Sequence, residues 1–96
     1  MGIALSATAV DRWFPVNAKR GVASFVAYPK LTIDGKERKA APGLRIWNTA
    51  NRIQFRSDTK GDKVIINYTE DAYKYIDRIW ILTPQEAAKP LKPGAL

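Results

Sequence analysis

The chain has 96 residues and a net charge of +7, and it contains neither cysteine nor histidine. That length suits one domain, and 46% hydrophobic with 26% charged residues is typical of a globular chain that folds unaided. Without a thiol or an imidazole, disulfide frameworks, cysteine/histidine zinc sites, thiolate nucleophiles and histidine-dependent triads are excluded. We expect neither a metal site nor a cofactor.

The positive charge lies mainly in the first two thirds of the chain. Residues 12–63 contain twelve basic and four acidic residues, a net charge of +8, whereas residues 70–78 carry a net charge of −1. A positive field attracts polyanions, of which nucleic acid is the commonest, and acidic proteins or anionic membrane surfaces are the alternatives. Many small proteins are basic merely for solubility, so charge alone does not identify the partner.

The N-terminal part begins with an apolar segment. Residues 2–10 alternate loosely between apolar and small polar side chains, which predicts a half-buried strand. The segment has no basic region ahead of it and is too short to span a bilayer, so we expect a cytoplasmic protein that binds no membrane. Residues 11–21 include Pro15, Asn17 and Gly21, which favour turns, and we expect a loop there.

A strand and a hairpin are predicted next. Residues 22–33 are rich in β-branched and aromatic side chains, which indicates one buried strand that becomes an edge at Pro29. Asp34 and Gly35 follow, a pair that tolerates the positive φ angles of a two-residue hairpin turn. Residues 36–40 should therefore run back antiparallel, as a highly charged edge strand that discourages edge-to-edge aggregation or contacts a ligand.

Two short strands are predicted in the middle of the chain, after a break at residues 41–43. They cover residues 44–47 and 53–57 and are joined by a turn at residues 48–51. Side chains alternate across a strand, so each segment should bury every second residue. The residues expected in the core are Leu44, Ile46, Ile53 and Phe55, and those expected on the outer face are Arg45, Trp47, Gln54 and Arg56.

The last third starts with a clear strand at residues 63–68, which are largely apolar and β-branched. Thr69 then has the features of a helix N-cap, because its hydroxyl can accept a hydrogen bond from a free amide. Glu70 and Asp71 would complement the positive end of a helix dipole. We therefore predict a helix at residues 70–77.

The C-terminal end holds one ambiguous and one specific pattern. Residues 78–82, Arg-Ile-Trp-Ile-Leu, suit a helix and a strand equally well, so both alternatives stay open. Residues 83–86 form a capping box with proline at the first helical position, which predicts a short helix through residue 88. Residues 89–96 contain two prolines and a glycine and should form an extended, mobile tail.

Together these elements predict a mainly β protein. Five or six short strands with two hairpin signals fit a small antiparallel sheet or a barrel of the oligonucleotide-binding (OB) kind. One or two short helices should lie near the C-terminus. We expect one β-rich domain over residues 1–88, followed by a flexible tail over residues 89–96.

The acidic residues do not suggest catalysis, because each has a structural explanation. Glu70 and Asp71 lie at the predicted helix start, and Asp58 and Asp62 flank a turn, so no pair is placed as a hydrolase requires. A serine–lysine nucleophile stays open, although no spacing selects a particular pair. No glycine-rich phosphate loop is present. We therefore expect a non-enzymatic protein.

Aromatic and basic side chains alternate in the middle third, as a surface for single-stranded nucleic acid requires. Aromatic rings stack on bases for about 1–3 kcal/mol each, while Arg and Lys contact phosphates. We expect Trp47 to be the stacking platform, with Arg45 and Arg56 beside it. Gln54 would offer hydrogen bonds. The further candidate residues are Lys36, Arg38, Lys39, Arg52, Trp13 and Arg20.

Each assignment has an alternative. Trp47 could be covered by another strand or by the helix, and Trp13 and Phe14 could cap the core. The aromatic residues assigned to the core or to the helix interface are Tyr68, Tyr73, Tyr75 and Trp80. The same surface suits an accessory or inhibitory module that docks on a larger protein, because Trp and Arg are enriched at interface hot spots. An exposed strand edge could also pair with a second copy to form a homodimer.

Overall fold

The computed structural model describes residues 12–26 and 30–91. The strand expected at residues 2–10 and most of the expected tail lie outside the described residues. Within them the elements are, in order, β1 (Lys19–Ser24), β2 (Leu31–Ile33), β3 (Lys36–Arg38), β4 (Ala40–Trp47), β5 (Ile53–Gln54), a 3-10 turn (Arg56–Asp58), β6 (Val64–Glu70), β7 (Ile76–Ile81) and α1 (Pro84–Ala88).

The seven described strands form one sheet in the order β3-β2-β1-β6-β7-β4-β5. Neighbouring strands are antiparallel except for β4 and β7, which are parallel. Only Lys39 separates β3, at one end of the sheet, from β4, near the other end. The Ile76 amide donates to the carbonyl oxygen of Lys39 at 2.8 Å. The sheet must therefore curl, and it forms a half-barrel.

The predicted fold class is confirmed: the protein is mainly β, with a short helix near the C-terminus. The curled sheet is consistent with a small barrel of the OB kind. It has more strands than the five or six expected, and the parallel pair of β4 and β7 departs from a purely antiparallel sheet. Two parallel strands are never joined by a tight turn, so no local turn motif in the sequence predicts their pairing.

The inner face of the half-barrel holds the hydrophobic core, to which β1, β2, β4, β6 and β7 all contribute. Its buried residues include Ala23, Leu31, Ile33, Ile46, Ile66, Tyr68, Ile76 and Ile79. At Gly21 of β1, a Cβ atom would lie 2.7 Å from Cγ2 of Ile33 and 3.1 Å from the ring of Tyr68. A residue without a side chain therefore lets β1 approach its neighbours closely.

The β2–β3 hairpin forms as predicted. Asp34 and Gly35 have φ angles of 53° and 82°, and Ile33 pairs with Lys36 across the turn. Among the described strands β3 stands at the end of the order, as expected of an edge strand. The single strand expected over residues 22–33 is wrong, because β1 and β2 are separate strands that pair with each other and thus supply each other's ladder hydrogen bonds.

Strands also replace part or all of two segments that were expected to be irregular. β1 begins at Lys19, inside the loop expected at residues 11–21. The break expected at residues 41–43 is wrong, because β4 continues through them as a bulge. Its register on β7 shifts between Ala40 and Arg45. A bulge accommodates a proline and a glycine without ending the strand.

The helix predicted at residues 70–77 is wrong, because this segment closes a β6–β7 hairpin. Thr69 is fully buried within β6 and caps no helix. The Asp71 carboxylate instead accepts the amides of Tyr73 and Tyr75, at 2.8 and 3.0 Å. An aspartate binds the backbone of a turn as readily as a helix N-terminus, so the local signal was ambiguous. Residues 78–82 were left open between helix and strand, and residues 78–81 belong to β7, so the strand is correct.

β5 is shorter than the strand expected at residues 53–57, since the 3-10 turn follows it. Ile53 pairs with Trp47 on the outer face and is 61% exposed. Phe55 is 76% exposed. The expected core positions of Ile53 and Phe55 are therefore wrong. The ladder with β4 sets the register of β5, and a shift of one residue exchanges the two faces of a strand.

The same register turns Gln54 inward, which corrects its expected outward position. Gln54 pairs with the core residue Ile46, and its side-chain amide donates to Oγ1 of Thr59 at 2.8 Å. Arg56 lines a small pocket on this inner side together with Lys30 and Leu31. It therefore does not flank Trp47 on the outer face.

The C-terminal capping box forms as predicted. The Glu86 amide donates to Oγ1 of Thr83 at 3.2 Å, and the Thr83 amide donates to Oε1 of Glu86 at 2.9 Å. The Arg12 guanidinium binds the Glu86 carboxylate and also donates to the carbonyl oxygens of Asn48 and Ile81. In the described part of the chain, no helix has the length and apolar character needed to cross a membrane.

Candidate nucleic-acid interface

The outer face of β4 and β7 brings together two copies of the tripeptide Arg-Ile-Trp. Parallel pairing sets Arg45 beside Arg78 and Trp47 beside Trp80. The intervening isoleucines, also paired, are fully buried on the inner face. Because side chains alternate, both arginines and both tryptophans lie on the outer face, in two adjacent rows. We call these four residues the Arg/Trp surface.

The two indoles of this surface are stacked. Their ring centroids lie 5.2 Å apart with planes 11° from parallel. Phe14 meets Trp80 edge-on at 5.5 Å, and the Arg78 guanidinium carbon lies 5.6 Å from the Trp80 ring centroid. Trp80 is buried, whereas Trp47 is half-buried. One ring face of Trp47 is therefore covered by another strand, and only part of the indole is open to a ligand.

The arginines of the surface differ in how they are held. Arg45 is exposed and has no ion pair with any residue the structure describes. Arg78 donates from Nε to Oγ1 of Thr69 at 3.1 Å, and that hydroxyl donates in turn to Asp77. A β-bulge sets Asp77 and Arg78 together opposite Thr69. Asp77 thus supplies one negative charge beside two positive ones.

Two other basic candidates are committed to structural contacts. Arg20 donates to Oδ1 of Asn67 at 2.6 Å and to the carbonyl oxygens of Ala87 and Lys89, which ties β1 to the end of α1. Arg38 pairs with Glu70 and lies 6.0 Å from the Tyr68 ring centroid. Neither guanidinium is available to a ligand without loss of these bonds.

Glu70 joins β3 to the β6–β7 hairpin through its ion pair with Arg38. Its carboxylate also pairs with Lys19 at 3.0 Å. Hydrogen bonds from Arg38 and Lys19 lower the pKa of Glu70, and the same carboxylate raises the pKa of Arg38. Lys36 and Lys39 are exposed and have no ion pair among the described residues. Residues 36–39 therefore offer two lysines to a ligand, while Arg38 holds this segment to Glu70.

Of the exposed aromatic residues, Trp13 was a candidate for the surface, whereas the two turn tyrosines were not expected. Trp13 is 77% exposed rather than capping the core, while its neighbour Phe14 packs on Trp80. Tyr73 and Tyr75 are exposed, which corrects their assignment to the core or to a helix interface. Tyr68 and Trp80 are buried as expected. Arg52 lies exposed in the turn between β4 and β5.

Arg78, Tyr73 and Tyr75 are the site candidates that sequence reasoning missed. For Arg78 a signal existed, since Arg-Ile-Trp occurs at residues 45–47 and again at residues 78–80. A tripeptide that alternates in this way on a strand presents its first and third side chains together. The tyrosines were missed because residues 70–77 were predicted to form a helix rather than a hairpin turn.

Comparison with protein-family models, curated proteins and solved structures gave no match. Among the residues that the structure describes, no three histidine, cysteine, aspartate or glutamate side chains lie close enough to hold a metal ion.

Proposed function

We propose that this protein is a non-enzymatic domain that binds single-stranded DNA or RNA with low sequence specificity across its Arg/Trp surface. The observation that supports it most is the in-register pairing of the two Arg-Ile-Trp segments. That pairing places two arginines next to each other in the sheet, on the same outer face as the half-buried Trp47 and the buried Trp80 on which it stacks. Cationic groups next to aromatic groups are what a chain of phosphates and bases requires.

The paired arginines favour an anionic ligand. Like charges directly across from each other in a sheet oppose folding, and Arg45 and Arg78 occupy such positions. Asp77 offsets part of this repulsion, and a bound phosphate would offset more. The net charge of +7 would also speed encounter with a polyanion.

The aromatic part of the surface favours a single strand over a duplex. Stacking on protein side chains needs bases that are not already stacked within a helix, and every base offers a ring face, so little sequence preference results. Trp47 contributes its open part, and the stack with Trp80 fixes its orientation. Binding therefore requires little ordering of this side chain.

The direct experiment is to titrate a labelled oligothymidylate with the protein at a series of salt concentrations. Because phosphate contacts release counterions, log K should fall linearly with log salt, by roughly 0.7 for each contact with a single strand. Unlabelled single-stranded competitor should displace the labelled strand more readily than duplex of the same length. Absence of measurable binding at low salt would contradict the proposal.

A protein-binding module is the second candidate, and the exposed side chains of Ile53 and Phe55 favour it. Both lie at or just after β5, which is the last strand of the described sheet. Exposed apolar side chains beside the last strand of a sheet suit a partner chain or a second copy in a homodimer. Such binding would depend weakly on salt, and sedimentation velocity would reveal a dimer.

A further inference from the structure

The turn between β6 and β7 exposes two aromatic rings. Tyr73 is 78% exposed and Tyr75 is 37% exposed. Their ring centroids lie 6.1 Å apart with planes 37° from parallel. The two rings therefore form an exposed aromatic pair at one hairpin turn, and a flat aromatic ligand such as a base could stack on it.

This turn is held rigidly from within. The Asp71 carboxylate accepts the amides of Tyr73 and Tyr75, and the Asp71 amide donates to the carbonyl oxygen of Tyr75 at 2.9 Å. Lys74 completes the turn with a φ angle of 68°. The backbone beneath both rings is therefore fixed before any ligand arrives, which reduces the entropy lost on binding.

The turn is also braced by the junction of β3 and β4. Arg38 donates to the carbonyl oxygen of Lys74 at 3.3 Å, and the Ile76 amide donates to Lys39. The side chains of Lys39 and Lys74 are exposed and have no ion pair among the described residues. Two cations therefore accompany the two tyrosines at this end of the half-barrel.

The turn continues directly into the Arg/Trp surface. Ile76 is buried on the inner face, so the preceding residue, Tyr75, lies on the outer face with Asp77 and Arg78. Arg78 lies three positions after Tyr75 along the chain, which spans at most about 10 Å at 3.3 Å per residue. From Tyr75 along β7, the outer side thus carries an aromatic ring, the Asp77 carboxylate and the Arg78 guanidinium, followed by the buried Trp80 ring that stacks on Trp47.

We propose that Tyr73 and Tyr75 form a second stacking site for the same single strand, which runs along β7 from the turn to Trp47. This inference rests on the proposed function and deepens it. Lys39 and Lys74 contact the phosphates beside the tyrosines, as Arg45 and Arg78 do beside the indoles. A strand of several nucleotides is needed to reach both sites.

The test compares a short and a long oligothymidylate, of about 4 and about 12 nucleotides, within the range of single-strand site sizes. Tyr73→Ala with Tyr75→Ala should weaken binding of the long strand about tenfold or more, since each lost stack contributes measurably. Binding of the short strand to the Arg/Trp surface should change less than twofold. The control Tyr73→Phe with Tyr75→Phe keeps both rings and should bind the long strand as the wild type does.

The outcomes separate this inference from the function on which it rests. If the wild type binds the long strand and the double alanine variant binds it equally well, the tyrosines are not a stacking site, yet the Arg/Trp surface still stands. If the wild type binds no oligonucleotide, both proposals fail. Circular dichroism of each variant checks that the turn substitutions leave the fold intact.

Discussion

The rings of Trp47 and Trp80 stack nearly parallel, with centroids 5.2 Å apart, although they lie on strands far apart in sequence. The same parallel register sets Arg45 beside Arg78. The aromatic pair stabilises the contact between β4 and β7, whereas the arginine pair opposes it. This combination concentrates positive charge beside a rigid aromatic pair.

The two arginines should carry much of the salt dependence of oligonucleotide binding. Arg45→Ala and Arg78→Ala should each reduce the slope of log K against log salt by roughly 0.7, and the double variant by about twice that. Lys60→Ala is the matched control, because Lys60 is an exposed cation outside this surface. An unchanged slope in the double variant would remove both arginines from the phosphate contacts.

Removing the negative charge of Asp77 should strengthen binding. Asp77→Asn keeps an oxygen that accepts from the Thr69 hydroxyl, so the local hydrogen bond to Arg78 survives. The phosphate then meets one repulsive charge fewer, and we expect the affinity at low salt to rise several-fold. Fluorescence anisotropy with the labelled oligothymidylate measures it. Weaker binding by this variant would show that Asp77 positions Arg78 through its charge.

Trp47 should matter for stability as well as for binding. Trp47→Ala removes a half-buried ring from the stack and should lower the free energy of unfolding by about 2 kcal/mol, measured in urea. Trp47→Phe should recover part of this loss. Trp13→Ala serves as the control, since Trp13 is largely exposed and its removal should change stability little. A Trp47→Ala variant as stable as the wild type would contradict the stacked geometry.

Two carboxylates should make the fold sensitive to acid. Hydrogen bonds from Arg12 lower the pKa of Glu86, and those from Arg38 and Lys19 lower the pKa of Glu70. Because each pKa is lower in the folded state, the stabilisation is complete above the ordinary carboxyl value of 4.5 and disappears as pH falls through the folded-state pKa.

Urea unfolding as a function of pH tests whether Glu70 and Glu86 stabilise the fold in this way. Glu70→Gln and Glu86→Gln should each be less stable than the wild type at neutral pH and should depend less on pH in the acid range. Glu37→Gln is the control, since Glu37 is exposed on β3 and has no ion pair with a described residue. Equal acid dependence in all three variants would contradict the role of these ion pairs.

The parts of the fold that were predictable are those encoded by complete local motifs. Asp34 with Gly35 specified the β2–β3 turn, and Thr83 with Glu86 specified the start of α1, because each motif satisfies its own backbone groups. Asp71 misled the prediction, since an aspartate serves a turn and a helix N-terminus equally well. The sequence around Asp71 does not distinguish a turn from a helix N-terminus.

Long-range pairing decided the rest of the site. Arg45 and Trp47 were correctly expected to share a face, because alternation along one strand is a local property. Their partners on β7 were not predicted, since a parallel pairing depends on the whole sheet. Arg56 was misplaced for a related reason: the register of β5 follows from its ladder with β4 rather than from its own composition.

Nuclear magnetic resonance can show directly where a bound strand contacts the protein. During titration with an oligothymidylate, the amides of Arg45, Trp47 and Arg78 and the indole of Trp47 should show the largest chemical-shift changes. Val22 and Ile65, which pair on the outer face of β1 and β6, should change little. Saturable binding that shifts the resonances of Val22 and Ile65 but not those of Arg45, Trp47 and Arg78 would contradict binding at the Arg/Trp surface.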